Sequence, residues 1–435
     1  MLDFIVFLFN LVPLTIWLLL ATFALGWAAV NLWIHYVRQD FISGIDYVLL
    51  EIVPPREVLR SPKAMELFFT NALYHWSMKG GLEAYWQGAV WFWYSLEIAS
   101  IEGQVHFYIR TPTRLRELIE TQMYAQYPQA QIRAVEDYTL AVDKISPESD
   151  WNFWGCEFVL EKPEAYPIKT YVDFGLDKDP KEEYKVDPIS PIIELFGSIK
   201  KGEQMWMQIV VRPSKKEFHT HGTWFGHHDW VKQSEIELKK ILEPYTGTKL
   251  SLGDKITTEI RAPGFLDPAV KGITEKMTKI GFDTGIRVCY VAKKEAWSMN
   301  SRRNIRLIFR QYSKPLLNSF VRTNSTQADA LGGSLFPGWI PLSSKVVMRL
   351  ADRMLTEYRE RSFFHHPLRQ ILFSEHRLPW PISPFFFPAY FHPHTFVLNV
   401  EELATIWHFP GQILKVPTLE RIESKEAAPP TNLPI

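Results

Sequence analysis

At 435 residues the chain exceeds the size at which one hydrophobic core stops growing, which excludes a lone small domain and points to a membrane segment plus two or three packed units. Totals of 48 basic and 48 acidic residues exclude a whole-protein field that would gather a polyanion, so any nucleic-acid contact has to be local. With 46% hydrophobic and 22% charged residues the chain is not of the disordered class, and its 14% aromatic content supplies a stiff, high-area core.

From Phe4 to Val37 there is no Asp, Glu, Lys or Arg, a run longer than the ~20 residues that a helix needs to cross a bilayer. Asp3 in place of a basic start, the length of the run and the lack of a small-residue cleavage site argue for a retained anchor over a signal peptide. The nearest positive charges, Arg38, Arg56, Arg60 and Lys63, all follow the run. The positive-inside rule therefore expects a single-pass protein of the cytoplasmic (inner) membrane, N-terminus outside and body in the cytoplasm.

The body is expected to be of α+β class, an α/β sandwich of tandem ferredoxin-like units ending in a Pro-rich tail. Tyr47–Val53 closed by Pro54 and Pro55 predicts a strand, and Met65, Phe68, Phe69, Ala72 and Leu73 predict a helix entered through Ser61 and Pro62. Trp91–Ser100 and Gln104–Arg110, separated by Ile101, Glu102 and Gly103, predict a hairpin. A helix follows Thr111 and Pro112, and a strand begins at Ile132. This β-α-β-β-α-β order is that of a split βαβ unit. A second α/β unit is expected from strands at Phe153–Leu160 and Thr170–Phe174, a helix from Ser190, a strand at Met205–Arg212, helices at Trp230–Leu242 and Pro268–Ile280, a strand at Gly285–Ala292 and a helix over Ser301–Phe320. Beyond a Gly-rich linker come a helix from Ser344 to Arg361, an extended Pro/Phe segment at Trp380–His394, a short strand and helix over Thr395–His408, and the Pro-rich end. The expected divisions are 1–40, 41–145, 146–325, 326–394 and 395–435.

Cys156 and Cys289 lie in apolar runs without a CxxC partner, which predicts buried thiols in a reducing compartment. His219, His221, His227, His228 and Asp229 are closely spaced enough to suggest zinc, the basis of an alternative reading as a metal-dependent enzyme. They lack the third-ligand spacing of known sites, and neither a metal nor a cofactor is expected. The pairs His365/His366 and His392/His394 have no adjacent acid. No G-x-x-x-x-G-K-[ST], G-x-S-x-G or H-E-x-x-H occurs, so the chain is expected not to be an enzyme. Arg302, Arg306 and Arg310 recur every four residues, which on a helix makes one basic face and a second alternative, a membrane-tethered DNA-binding module.

Glu120–Pro128, Glu136–Tyr138, Gly285–Ala292 and, most clearly, Leu398–Gly411 with Lys415-Val416-Pro417 and the closing PPTNLP resemble the region just before the motor domain in type IV secretion and conjugation coupling ATPases of the TraG/TraD and HerA/FtsK-like group. The likeness covers most of the body, and the sequence ends where the motor would begin. The resemblance implies a non-catalytic accessory subunit of a DNA or protein translocation complex. It implies partnership with a coupling ATPase in trans and with other membrane subunits, contact with the bilayer through residues 4–37, and self-association compatible with ring-forming motors. The tail would dock the ATPase, with Glu401, Glu402, His408 and Phe409 as the contact residues, unless the tail helix instead completes the protein's own core.

Overall fold

The computed structural model describes residues 14–55, 60–74, 81–177, 186–214, 229–243, 266–326, 344–364 and 394–411. Two compact units emerge among the described residues: one holds residues 14–46 and 81–92, the other holds the strands. In the first unit, helix α1 runs Leu14–Ser43. Thirty residues at 1.5 Å each give about 45 Å, more than a bilayer's hydrocarbon thickness. Its apolar side chains, Leu19, Phe23 and Leu25 among them, stand exposed, so this is one helix long and apolar enough to span a membrane.

The second unit is a single antiparallel sheet of nine strands among the described residues, and its class is α+β. The first half comprises β1 (Tyr47–Val53), helix α2 (Lys63–Ala72), β2 (Tyr94–Ile101), β3 (Gln104–Pro112), α4 (Arg116–Gln126) and β4 (Gln131–Val135); α3 (Gly81–Tyr85) belongs to the first unit. The strands order as β4-β1-β3-β2, the arrangement expected of a split βαβ unit. Glu102 and Gly103, both at positive φ, make the two-residue turn that sets Ile101 opposite Gln104.

The second half repeats the order. β5 (Trp151–Leu160), α5 (Ser190–Gly197), β6 (Glu203–Pro213), α6 (Trp230–Leu242), α7 (Asp267–Met277), β7 (Gly281–Lys293) and β8 (Phe320–Thr323) assemble as β6-β7-β5-β8. The halves join edge to edge through β2 and β6, from Tyr94 opposite Val211 to Ile101 opposite Gln204. They therefore share one sheet and one compact unit, where separate domains at 41–145 and 146–325 were expected.

Period-2 alternation sends Leu96, Ile98, Phe107, Ile109, Met207, Ile209, Ile286 and Val288 to one face, against α2, α4 and α5. α2 contributes a stripe at helical spacing, Met65, Phe68, Phe69 and Ala72, all fully buried. The opposite face is covered by α9 (Ser344–Glu360), which lays Leu350, Ala351, Met354, Leu355 and Tyr358 on Trp206, Cys289 and Val291. Cys156 and Cys289 are buried on opposite faces of neighbouring strands, Cys156 facing Val288 and Gly155 facing Cys289 in register, so both stay thiols.

Three expectations need correction. Thr170–Phe174 is a set of turns and not a strand: the Asp173 amide donates to the Thr170 carbonyl at 2.9 Å and the Tyr171 amide to Thr405 Oγ1 at 2.9 Å, so the backbone groups are spent on turns and on a side chain in place of a ladder. Ser301–Phe320 is not one helix but α8 (Met299–Asn304), two 3₁₀ turns at Ile305–Leu307 and Arg310–Tyr312, and a chain that straightens into β8. Ile305, Ile308, Phe309 and Tyr312 produced the helical period because they plug one core, and Pro315 bars a continuous helix. Finally, Phe396–Phe409 is not a separate tail. β9 (Phe396–Asn399) pairs with β7, and α10 (Val400–Ile406) packs on α2.

Candidate functional site

A strand that buries one face alternates apolar with polar residues, and the polar ones normally meet water. Here the second face carries Glu97 on β2, Glu157 on β5, Gln208 on β6 and Arg287 on β7, each under 2% exposed because α9 and the chain around Tyr138 lie over them. A buried charge must find partners within the protein. These do so in two linked centres.

In the first, Glu97 accepts from Ser95 Oγ at 2.6 Å, Arg361 Nε at 2.9 Å and Gln208 Nε2 at 3.3 Å on one oxygen, and from the Tyr138 hydroxyl at 2.9 Å on the other. The Tyr358 hydroxyl lies 2.8 Å from that of Tyr138. Arg361 turns into the left-handed region just past the end of α9, at φ 53°, and its guanidinium also bonds both Asp137 oxygens. Burial works against its charge, yet Glu97 and Asp137 outweigh burial and hold it protonated. Burial likewise opposes ionisation of Asp137, and Arg361 overrides it, leaving the carboxyl below its ordinary range.

In the second centre, Arg287 bridges Glu157 at 2.8 Å and Glu357 at 2.9 Å, with the Phe363 ring 3.9 Å from its guanidinium carbon. Burial dominates at Glu157 and pushes its pKa above the usual carboxylate range despite Arg287 and the amide of Asn324 at 2.6 Å. Burial also pushes both cysteine thiols up, which makes them poor nucleophiles. The seam's evident work is to fasten α9 to the sheet. Asp137, Tyr138 and Arg287 figured only inside runs that carry the resemblance, and Glu97, Glu157, Gln208 and Arg361 were not singled out; the available signal was a charged residue at the centre of an otherwise apolar strand, as in Leu96-Glu97-Ile98 and Ile286-Arg287-Val288.

The residues expected to dock a partner occupy the first face. Glu402 is fully buried: it closes a capping box with Asn399, accepts from the Ile168 amide at 2.9 Å and pairs with the equally buried Lys276 at 2.9 Å. His408, 2% exposed, bonds Asp187 at 2.9 Å and the Ala404 carbonyl at 2.9 Å. Phe409 sits edge-on to Phe107 at 5.3 Å and Tyr127 at 4.9 Å. Only Glu401 keeps some exposure, and it pairs with Lys279. Three of the four side chains therefore face inward and complete the core. Asp187 also accepts the Gly411 amide at 3.1 Å; burial opposes its charge, but His408 and the backbone donors prevail and depress its pKa.

The three arginines do not line one exposed helix. Arg310 is exposed, whereas Arg302 and Arg306 are half-buried and Arg306 lies 5.2 Å from the centre of the Trp154 ring. Of the histidine insertion only Asp229 is among the described residues, where it caps α6 by accepting from the Lys232 amide at 3.2 Å. His219, His221, His227, His228, His365, His366 and His392 lie outside them, as do the Gly-rich linker, most of the Pro/Phe segment and residues 412–435. His394 helps line a cleft of about 510 Å³ with Lys162, Glu164, Glu237 and Lys240, a wall of mixed charge. Among the described residues no three His, Cys, Asp or Glu side chains converge as a metal site.

A family model described as a domain of unknown function, DUF8128, matches residues 93–419, about three quarters of the chain. The chain belongs to the DUF8128 family. The DUF8128 match spans eight of the nine described strands, both centres of the buried seam and the Asp187–His408 pair, but omits α1, β1, α2 and α3. No curated protein matches the chain.

Proposed function

We propose that this protein is a non-catalytic, membrane-anchored accessory subunit of a type IV secretion- or conjugation-like complex for DNA or protein translocation. It holds an ATPase supplied in trans at the cytoplasmic face of the inner membrane, its N-terminus outside. The observation that carries this reading is the Leu398–Gly411 run, whose sequence resembles the pre-motor region of coupling ATPases. That run is built into the sheet through β9 and ends at Gly411, tied to Asp187. α1, within which Arg38 is the first Lys or Arg of the sequence, supports the anchoring and orientation. The inward commitment of Glu402, His408 and Phe409 moves the docking role to the residues after Gly411.

The test is affinity capture of the full-length protein from gently solubilised native membranes, with mass spectrometry of its partners, beside a variant lacking residues 412–435. That truncation spares β9 and α10, whereas removing everything from 395 would tear out part of the core. Recovery of a HerA/FtsK-type ATPase by the full chain and its loss on truncation supports the reading. Capture without any ATPase, under conditions that keep other membrane complexes intact, refutes it.

A further inference from the structure

The first unit contains more than a helix. Residues 81–88 fold back onto the last turns of α1: the Trp33 indole N–H donates to the Tyr85 carbonyl at 3.2 Å, and the Trp33 and Trp86 rings lie 5.4 Å apart. Gly88, at φ +67°, sits so close that a Cβ there would be 2.1 Å from the Val37 carbonyl oxygen, so the contact admits only glycine. Val37 is 8% exposed, the one buried position among the described side chains of α1. Around this contact the apolar surface is left bare: Leu82 is 75% exposed, Trp86 69% and Tyr36 66%. Clustered aromatic and aliphatic exposure of this kind marks an interaction surface.

The position along α1 says what covers it. The charge-free run closes at Val37, and Arg38 and Asp40 follow it, so Trp33 and Tyr36 stand within about one turn of the first charges, where the hydrocarbon gives way to the headgroups. Trp and Tyr concentrate at that depth because one end of each ring system is apolar and the other is polar. We propose that residues 81–88 are a second membrane contact, a collar that inserts Leu82 and Trp86 into the headgroup–acyl boundary of the bilayer that α1 spans. The occupant is lipid, by continuity with the apolar surface of α1, and the proposal rests on α1 being membrane-spanning.

The test uses full-length protein in phosphatidylcholine–phosphatidylglycerol vesicles, with an environment-sensitive fluorophore on Leu82→Cys, on Leu20→Cys in mid-helix, or on Leu140→Cys, which is exposed on the sheet unit. Cys156 and Cys289 are buried and stay unlabelled in the folded protein. Lipids spin-labelled near the headgroup should quench the Leu82→Cys probe several-fold more than lipids labelled at the chain end, with the reverse order for Leu20→Cys and no quenching for Leu140→Cys. A quenched Leu20→Cys beside an unquenched Leu82→Cys overturns the collar and leaves the spanning helix. A blue-shifted Leu82→Cys probe that no lipid quenches overturns it in favour of a protein neighbour, such as a second copy. An unquenched Leu20→Cys overturns both the spanning helix and the collar.

Discussion

Replacing Lys276 with Met removes the ammonium that faces Glu402 while nearly preserving side-chain length, so it isolates the charge. Both side chains are fully buried, 2.9 Å apart, and Lys276 also donates to the Val397 carbonyl at 3.0 Å. After the change Glu402 retains only the amides of Ile168 and Asn399, at 2.9 and 2.8 Å. Stranding one charge of a buried pair costs about 3–5 kcal/mol, a large part of the ~5–15 kcal/mol that holds a domain together. With a urea dependence of about 3 kcal/mol per M, the unfolding midpoint should fall by somewhat over 1 M. Glu402→Gln should cost a similar amount. The double variant leaves no net charge inside and should be less destabilised than the sum of the two by about 2 kcal/mol or more. Urea titration of the detergent-solubilised protein, followed by tryptophan emission, measures all three. Single-variant midpoints within about 0.3 M of the wild type would mean that Glu402 is solvated and α10 detached, refuting the assignment of the C-terminal run to the core.

Three further outcomes follow from the buried charges. Arg361→Lys should lose about 2–4 kcal/mol in the same titration, because a lysine cannot fork between Glu97 and Asp137; a neutral result would show that the fork is not needed. Glu51 is buried, which opposes its charge, but His106 at 2.6 Å and Arg133 at 2.7 Å outweigh this and bring its pKa down to about 2. A depressed carboxylate stabilises above its unfolded pKa. That contribution should therefore be intact at pH 5, fade from about pH 4 towards 2, and be missing throughout in Glu51→Gln, as read by thermal unfolding across pH. Thiol titration of the native protein should leave Cys156 and Cys289 unmodified until denaturant is added, and rapid native labelling of either would contradict the burial of both strands.

Most of the sheet could be read ahead of the structure because each half is local. Tyr47–Val53 emerged with the expected ends, and the Glu102-Gly103 turn fixed its hairpin register from two residues. What could not be read depends on contacts far apart in sequence. The pairing of β2 with β6 leaves no local mark, since an edge strand and a central strand carry the same alternation. Glu402 and His408 looked like surface groups because polar residues are usually exposed. Their partners, Lys276 and Asp187, stand more than a hundred positions upstream. The same holds for Glu97 and Arg361, separated by most of the body. The Ser301–Phe320 period misled for the opposite reason: four apolar residues at helical spacing fill one core from a chain that is only partly helical.

The joint between β2 and β6 also sets a timetable for biosynthesis. Tyr94–Ile101 leaves the ribosome with β3 as its only available neighbour, and its outer edge waits for Gln204–Val211, more than a hundred residues later. At about 5–20 residues per second that interval lasts on the order of 5–20 s, during which a long, largely apolar strand offers unsatisfied amides and carbonyls to any passing chain. A growing first half therefore needs shielding until β6 arrives, so a nascent chain stalled between Pro112 and Glu203 should attract holding chaperones more strongly than one stalled after Pro213.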